Sequence, residues 1–302
     1  MEENNIPDFL IKKLESQYGI EISNSILEGY NMQRYTTFRV NTIKSNNTEI
    51  EKALNDNNIK FEKVNFLKQA YVLPNCEESL IEELDIYKEG KIYLQSLSSM
   101  LPPIILNPEE KIDILDMCAA PGGKTTELAA LTNNKAHITA CEMNKIRLDR
   151  LKYNLNKQGA SSVYLMNIDA RNIDNFFAFD KILLDAPCSG SGTLNSKDEK
   201  VSKYFTDTLI QKSVKTQTAL INKAINVLKK DGELIYSTCS ILQCENEDIV
   251  NNVLKTGKVE LVPISNELLE DLPLLPTNIP GTLCIKPNQY FEGFFVAKLR
   301  KI

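Results

Sequence analysis

The sequence predicts an α/β protein: a Rossmann-like, seven-stranded, mostly parallel sheet with an antiparallel last strand, joined to a small N-terminal α+β domain. From about residue 109 onward, short apolar runs alternate with amphipathic stretches, the pattern of a parallel sheet covered by helices. A glycine-containing turn follows the first of these runs, as in nucleotide-binding folds. With 302 residues, 42% of them hydrophobic, the chain can bury a large core.

The N-terminal domain is predicted to comprise residues 1–108. Helices are predicted over residues 7–18 and 48–57, the second with Thr48 as its N-cap. Strands are predicted over residues 38–41 and 70–73. The sequence contains no internal repeat or flexible linker here, so we expect this domain to pack against the rest of the chain.

The predicted sheet lies in residues 109–302. Its apolar runs are residues 112–116, 136–142, 163–166, 181–185 and 233–237. Helical periodicity appears between them over residues 145–157 and 209–228. The last run, residues 293–299, follows Pro-punctuated sequence rather than a helix, and we therefore predict that it closes the sheet as an antiparallel strand.

Composition excludes several kinds of site. His137 is the single histidine, which excludes a histidine-based triad or a histidine metal site. The seven cysteines form no Cys-x-x-Cys pair, so we predict no metal and no disulfide framework, and interpret any special cysteine as a reactive thiol. The net charge of -5 gives no overall basic surface for a nucleic acid.

The sequence predicts a cytoplasmic protein that does not associate with a membrane. No run approaches the apolar length of a membrane span, and the N-terminus has no basic stretch followed by an apolar one. The oligomeric state is not indicated by any feature of the sequence.

A loop of small residues follows the first strand of the predicted sheet: Cys118, Ala119, Ala120, Pro121, Gly122, Gly123 and Lys124. Paired glycines at a strand-to-helix turn let a ligand approach the backbone, and the helix start supplies N–H donors. The alternative is a phosphate-binding P-loop, because Gly123-Lys124-Thr125 matches the end of G-x-x-x-x-G-K-[ST]. That pattern requires Gly where this chain has Cys118, so a P-loop NTPase is the less favoured interpretation.

Acidic residues end or follow four successive strands: Asp116, Glu142, Asp169 and Asp185. Glu142 lies about 20 residues after the glycine loop, where doubly wound folds place an acid that binds ribose hydroxyls. Asp169 follows the next strand, in a position to contact an adenine amino group. Carboxyl ends of parallel strands meet at one sheet edge, so these acids outline a crevice for an adenosine-bearing ligand.

Two cysteines fall in adjacent strand-end loops at this same edge. Cys188 follows Asp185 in Asp-Ala-Pro-Cys-Ser-Gly, and Cys239 follows the fifth strand in Ser-Thr-Cys-Ser. Because hydroxyl residues and glycine surround them rather than aliphatic side chains, we interpret both as reactive thiols rather than core residues. The residue pattern alone does not decide which thiol is the nucleophile.

These motifs resemble those of the Sun family of RNA cytosine-5 methyltransferases. The matching pieces are residues 39–42, 95–99, 116–125, 185–192, 237–240, 245–247 and 293–297. The resemblance implies an RNA-binding-type N-terminal domain, an S-adenosylmethionine-dependent methyltransferase domain over residues 109–302, and an RNA substrate. Ribosomal RNA is the favoured substrate, and transfer RNA is the alternative.

The resemblance also implies residue roles. S-adenosylmethionine is expected in the loop of residues 118–124, with Glu142, Asp169 and Asp185. Cys239 is expected to attack carbon 6 of the cytosine, which makes carbon 5 nucleophilic, and Cys188 to promote product release. Asp185, at the end of the crevice, is expected to stabilise the charge formed on the base.

The sequence departs from the family pattern in two places. Cys284 and Asn288 stand where members have an arginine and a histidine. The chain also ends directly after the terminal strand, whereas many members carry a further RNA-binding domain, so we expect RNA affinity to come from the N-terminal region or a separate partner. A catalytically silent RNA-binding factor on the same fold is the remaining alternative, consistent with the acidic pI near 5.3.

Overall fold

The computed structural model describes residues 5–265 and 270–302. The helices are α1 (Asp8–Tyr18), α2 (Ile20–Asn31), α3 (Asn47–Asp56), α4 (Glu78–Glu82), α5 (Asp85–Lys88), α6 (Leu97–Leu106), α7 (Gly123–Leu131), α8 (Lys145–Gln158), α9 (Glu199–Tyr204), α10 (Asp207–Val227) and α11 (Glu247–Leu254). The strands are β1 (Thr36–Val40), β2 (Glu62–Lys63), β3 (Ala70–Leu73), β4 (Ile92–Leu94), β5 (Asp113–Asp116), β6 (His137–Cys141), β7 (Val163–Met166), β8 (Phe179–Asp185), β9 (Leu228–Thr238), β10 (Val259–Val262), β11 (Leu274–Leu275), β12 (Leu283–Ile285) and β13 (Phe294–Lys301). Within these ranges, no helix combines the length and the apolar character needed to cross a membrane.

A small antiparallel sheet in the N-terminal region has the order β2-β3-β1-β4. Its core includes Phe38 and Tyr71, whose rings stack with centroids 5.3 Å apart, and Ile50 and Leu54 of α3 pack against them. The α+β character predicted for this region is thus confirmed. Helix α6, which precedes residue 108, packs against α7 and the large sheet. The domain boundary at residue 108 stays a prediction.

Helix α3 is capped by a different residue from the one the sequence suggested. The Asn46 side chain accepts a hydrogen bond from the Glu49 backbone N–H at 3.0 Å. Asn46 has an extended backbone and asparagine is among the favoured N-cap residues, so it satisfies an N–H that has no partner within the helix. The predicted N-cap at Thr48 is therefore wrong, because Thr48 lies inside the first turn.

The large sheet has the order β11-β12-β13-β9-β8-β5-β6-β7, and β10 also pairs with β13. Strands β5 to β9 are parallel, and β13 is antiparallel to β9. The mostly parallel sheet with an antiparallel last strand is confirmed. The described sheet has nine strands rather than the seven predicted, because β10 and β12 share the outer edge of β13 and the short β11 extends that edge.

Helices cover both faces of this sheet. Leu115, Leu184 and Tyr236 point to a core shared with α1, α2, α10 and α11. Their neighbours along the strands, Ile114 and Leu183, point to the opposite core with α6, α7 and α8. Because β5 lies between β6 and β8, the strand order reverses there, and such a switch point leaves a crevice beyond the carboxyl ends of the strands.

Candidate active site

An open cleft of about 1230 Å³ lies where the N-terminal region meets the carboxyl ends of the parallel strands. The N-terminal region contributes Arg34, Tyr35 and Gln95 to its lining. From the loop of residues 118–124 and the strand ends come Cys118, Ala119, Ala120, Pro121, Gly123, Lys124, Asp185 and Cys239. Four residues predicted for the site do not line this cleft: Gly122, Glu142, Asp169 and Cys188.

The loop of residues 118–124 is held from behind by α8. Arg147 donates to the Ala120 carbonyl at 2.7 Å and Asn154 to the Pro121 carbonyl at 2.8 Å. Gly122 has a φ of 113°, a backbone conformation that favours glycine, and a Cβ there would lie 2.9 Å from Leu151 Cδ1, so that side chain would have to shift. The loop therefore presents a fixed backbone to the cleft.

Asp116, at the end of β5, anchors the helix side of the loop. Its Oδ2 accepts a hydrogen bond from Thr125 Oγ1 at 2.7 Å. Burial, with the nearby charge of Asp185, raises the pKa of the Asp116 carboxyl to about 6, although the Thr125 hydrogen bond opposes this. Asp116 thus stabilises the turn through Thr125 and does not line the cleft.

The carboxylates of Glu142 and Asp169 lie beside the loop, where they form hydrogen bonds and ion pairs with neighbouring residues. Glu142 Oε1 accepts from the Asn144 backbone N–H at 2.7 Å, and Oε2 lies 3.3 Å from an Arg147 guanidinium nitrogen. Hydrogen bonds from Arg171 hold the pKa of the Asp169 carboxyl below its usual range. The charges of Glu142 and Arg171 both interact with Cys118, which lies in the loop.

Asp185 and Lys124 form a half-buried ion pair in the lining of the cleft. Lys124 Nζ lies 2.7 Å from Asp185 Oδ2 and donates to Ser99 Oγ at 2.6 Å. Ser237 Oγ donates to Asp185 Oδ1 at 2.9 Å. Burial alone lowers the pKa of Lys124, but the charge and hydrogen bond of Asp185 outweigh it and the net direction is upward. The Lys124 ammonium is thus paired with Asp185. In a P-loop the equivalent lysine binds a phosphate, so this pairing argues against the P-loop interpretation.

The sequence reasoning placed Lys124 only in the donor loop and gave Ser99 and Ser237 no role. All three lie inside the motifs on which the resemblance rests, which was the available signal. Lys124 and Ser237 contact Asp185, and Ser99 contacts Lys124, so the cluster joins residues from α7, β9 and α6 and no local pattern could have revealed it.

The structure brings the two predicted thiols into contact. Cys188 Sγ and Cys239 Sγ lie 3.1 Å apart, although the residues are 51 positions apart in the sequence. Neither cysteine forms a disulfide, and both are partly exposed. Two thiols at this distance can exchange a proton, so one sulfur can act as nucleophile while the other acts on the same atoms as an acid or base.

The electrostatic surroundings of the two sulfurs differ. The hydrogen bond to Cys239, burial and the negative charge of Glu245 raise the pKa of Cys188 well above its usual range. Cys239 instead interacts with Lys124, since its charge is among the causes that raise the pKa of that lysine. A negative sulfur is therefore disfavoured at Cys188, a property that the sequence alone did not reveal.

The two departures from the family pattern have local partners. Cys284 is buried in β12, with its sulfur 3.8 Å from the Tyr18 hydroxyl. Asn288 Oδ1 accepts from the backbone N–H groups of Tyr290 and Phe291, each at 2.8 Å, and so shapes a turn at the cleft edge. Neither side chain contacts the two active-site thiols.

Gly192 and Gly293 bring the Cys188 loop against the start of β13. Gly192 donates to the Cys239 carbonyl at 2.9 Å, and Gly293 donates to the Gly192 carbonyl at 2.8 Å. A Cβ on Gly192 would lie 2.0 Å from the Gly293 carbonyl oxygen. These backbones pack so closely that no side chain fits between them.

We expect Gly192→Ala to lower the free energy of unfolding by about 3 kcal/mol or more, because the overpacked backbone must move. Denaturant titration measures the effect. The control is Gly257→Ala, where a Cβ meets nothing within 4 Å and only the positive φ of 68° is penalised. That control is expected to cost about 1 kcal/mol. Equal losses in the two variants would contradict the close packing described here.

The fold and the cleft define a Rossmann-like methyltransferase. A methyltransferase homologue from Pyrococcus horikoshii has the same architecture, with a TM-score of 0.82 and 31% sequence identity, covering 98% of this chain and 100% of that one.

The family follows from the sequence comparisons. A family model described as 16S rRNA methyltransferase RsmB/F matches residues 103–300, and one described as a methyltransferase RsmF/B-like, ferredoxin-like domain matches residues 6–76. The chain belongs to the RsmB/F family, which confirms the Sun-family resemblance.

Named relatives are similar over most of this chain. The ribosomal RNA small subunit methyltransferase F of Shewanella piezotolerans is 34% identical over 88% of the chain. A probable ribosomal RNA small subunit methyltransferase B of Bacillus subtilis is 30% identical over 99% of it. The chain spans 57% of the length of the first relative and 67% of the second.

Proposed function

We propose that this protein transfers a methyl group from S-adenosylmethionine to carbon 5 of a cytosine in ribosomal RNA. The observation that carries the proposal is the contact between Cys188 and Cys239, of which Cys239 lines the cleft of a methyltransferase fold together with the Asp185–Lys124 pair. The printed names of the relatives, which are ribosomal RNA methyltransferases, support the substrate class.

The cleft fits a methyl donor together with a base. Ligand pockets usually measure about 300–1,000 Å³, and the cleft of about 1230 Å³ exceeds that range. S-adenosylmethionine supplies an electrophilic methyl group when bound. The fixed backbone of residues 118–124 would hold it, with Glu142, Asp169 and Asp185 as further contacts. Glu142 and Asp169 would then exchange contacts with Arg147 and Arg171 for contacts with the donor.

The chain's own residues account for the remaining chemistry. Cys239 loses its proton and its sulfur bonds to carbon 6, which makes carbon 5 nucleophilic enough to accept the methyl group. The negative charge that this addition places on the base is stabilised by the proton-bearing Lys124, which Asp185 holds at 2.7 Å. A base then removes the carbon 5 proton, and the electron pair of that bond expels the Cys239 sulfur. Cys188, whose thiol keeps its proton, lies 3.1 Å away and can protonate the sulfur as it leaves.

The cleft carries little net positive charge with which to bind a polyanion. Its lining includes Arg34 and Lys124 but also Glu77, Glu78 and Glu292, and Lys124 is already paired with Asp185. Phosphate contacts normally dominate affinity for RNA. We therefore propose that recruitment of the RNA depends on surfaces outside this cleft or on a separate partner.

We expect the protein to bind S-adenosylhomocysteine in calorimetry, to show no affinity for a magnesium–nucleotide complex, and to transfer labelled methyl groups from S-adenosylmethionine to ribosomal RNA. Bisulfite sequencing of total RNA from cells with and without the gene would locate the cytosine. Labelling of transfer RNA instead would correct the substrate. RNA binding without any transfer would support the catalytically silent alternative.

A further inference from the structure

A buried carboxylate connects the two loops that carry the thiols. Glu245 lies in the turn after β9 and is fully buried. Its Oε2 accepts hydrogen bonds from Ser189 Oγ at 2.5 Å and from Ser240 Oγ at 2.6 Å. These serines directly follow Cys188 and Cys239 in the sequence. One oxygen atom thus joins the residue next to each sulfur.

The other carboxylate oxygen fixes the Cys188 loop a second time. Glu245 Oε1 accepts from the Ser189 backbone N–H at 2.7 Å and from Gln217 Nε2 at 3.3 Å. Gln217 also donates to the Pro187 carbonyl at 3.0 Å. The residues on both sides of Cys188 are therefore held by one network.

The neighbouring Asn246 fixes the Cys239 loop in the same way. Its Oδ1 accepts from Thr238 Oγ1 at 2.6 Å, and its amide donates to the Ser240 carbonyl at 2.8 Å. The residues on both sides of Cys239 are thus held as well. Both thiols are placed by contacts to their immediate neighbours. The two loops also contact each other directly, through Gly192 and the Cys239 carbonyl and through Ser191 and Ser240, and Glu245 is the side chain that binds the residue next to each sulfur.

We propose that Glu245 is a positioning residue that holds Cys188 and Cys239 in contact. The proposal rests on the thiol mechanism above, in which both sulfurs act on one base. The two loops follow different strands, β8 and β9, and a shared anchor removes their freedom to separate. Burial of a carboxylate is costly unless several donors satisfy it. The four donors around Glu245 therefore bind the loops strongly.

The rate of disulfide formation between the two cysteines measures their contact directly. Diamide takes two hydrogen atoms from the two thiols and becomes the hydrazine, leaving one S–S bond, which peptide mass spectrometry identifies. Neither methyl donor nor RNA is needed, so the outcome does not depend on the proposed methyl transfer.

We expect Glu245→Ala to slow formation of the Cys188–Cys239 bond by about ten-fold or more, equivalent to about 1.4 kcal/mol. Glu245→Gln is expected to restore a rate close to that of the unmodified protein. Its carbonyl can accept from Ser189 and Gln217, and its amide can donate to hydroxyls that rotate to accept. If the proposed function is correct, Glu245→Ala should also slow methyl transfer, and Glu245→Gln should restore most of the methyl-transfer rate.

The matched control is Glu247→Ala. Glu247 is also buried, but its carboxyl accepts from the Asn278 backbone rather than from a cysteine loop. We expect this variant to keep the original rate. If Glu245→Ala does not fold, the double variant Ser189→Ala with Ser240→Ala removes both hydroxyl donors, and slower disulfide formation is again expected. An unchanged rate in the folded variants, or an equal loss in Glu247→Ala, would overturn the proposal.

Discussion

Replacement of Cys239 by alanine is expected to abolish the covalent enzyme–RNA adduct and to lower methyl transfer by at least about 10⁴-fold, as loss of an enzyme nucleophile does. Carbon 5 of cytosine is too weak a nucleophile without addition at carbon 6. Cys239 lines the cleft and interacts with Lys124, whereas Cys188 does not line it. Transfer of a labelled methyl group to RNA measures the loss.

The control for this prediction is Cys284→Ala, which removes a buried thiol from the same sheet but leaves Cys239 in place. Its activity should stay close to that of the unmodified protein. Full activity in Cys239→Ala would show that this sulfur is not the nucleophile.

Replacement of Cys188 by alanine is expected to have the opposite effect on the adduct. The Cys239 sulfur can still attack, but the partner at 3.1 Å that assists its expulsion is gone. We expect the enzyme–RNA adduct to accumulate as a band that survives denaturing electrophoresis. Turnover should fall by about 10²–10⁴-fold, the usual contribution of a general acid or base.

The pair of variants also tests the division of labour. If Cys188→Ala forms no adduct and Cys239→Ala accumulates one, the reaction stays as proposed and the two roles are exchanged. Two observations favour the first assignment: the surroundings of Cys188, including Glu245, disfavour a negative sulfur there, and Cys239 is the thiol that lines the cleft.

Much of the fold followed from local patterns. The parallel strands, the antiparallel closing strand and helices α1, α8 and α10 appear where apolar periodicity indicated them. The cap of α3 was misassigned because Asn46, Asn47 and Thr48 are consecutive polar residues, and only the structure shows that the Asn46 side chain reaches the free N–H. Periodicity reports burial, whereas capping depends on one local geometry.

The sequence by itself determined the family, the loop of residues 118–124, and the presence of two unusual cysteines at one edge of a sheet. These features depend on residue type and short spacing, which a chain displays directly. The tertiary structure alone decided that Lys124 pairs with Asp185, that the two sulfurs touch, and that Glu245 joins their loops. Each of those contacts depends on which strands lie next to each other in the sheet. The order of strands arises from packing of the whole chain, and so the different surroundings of Cys188 and Cys239 could not be inferred from their motifs.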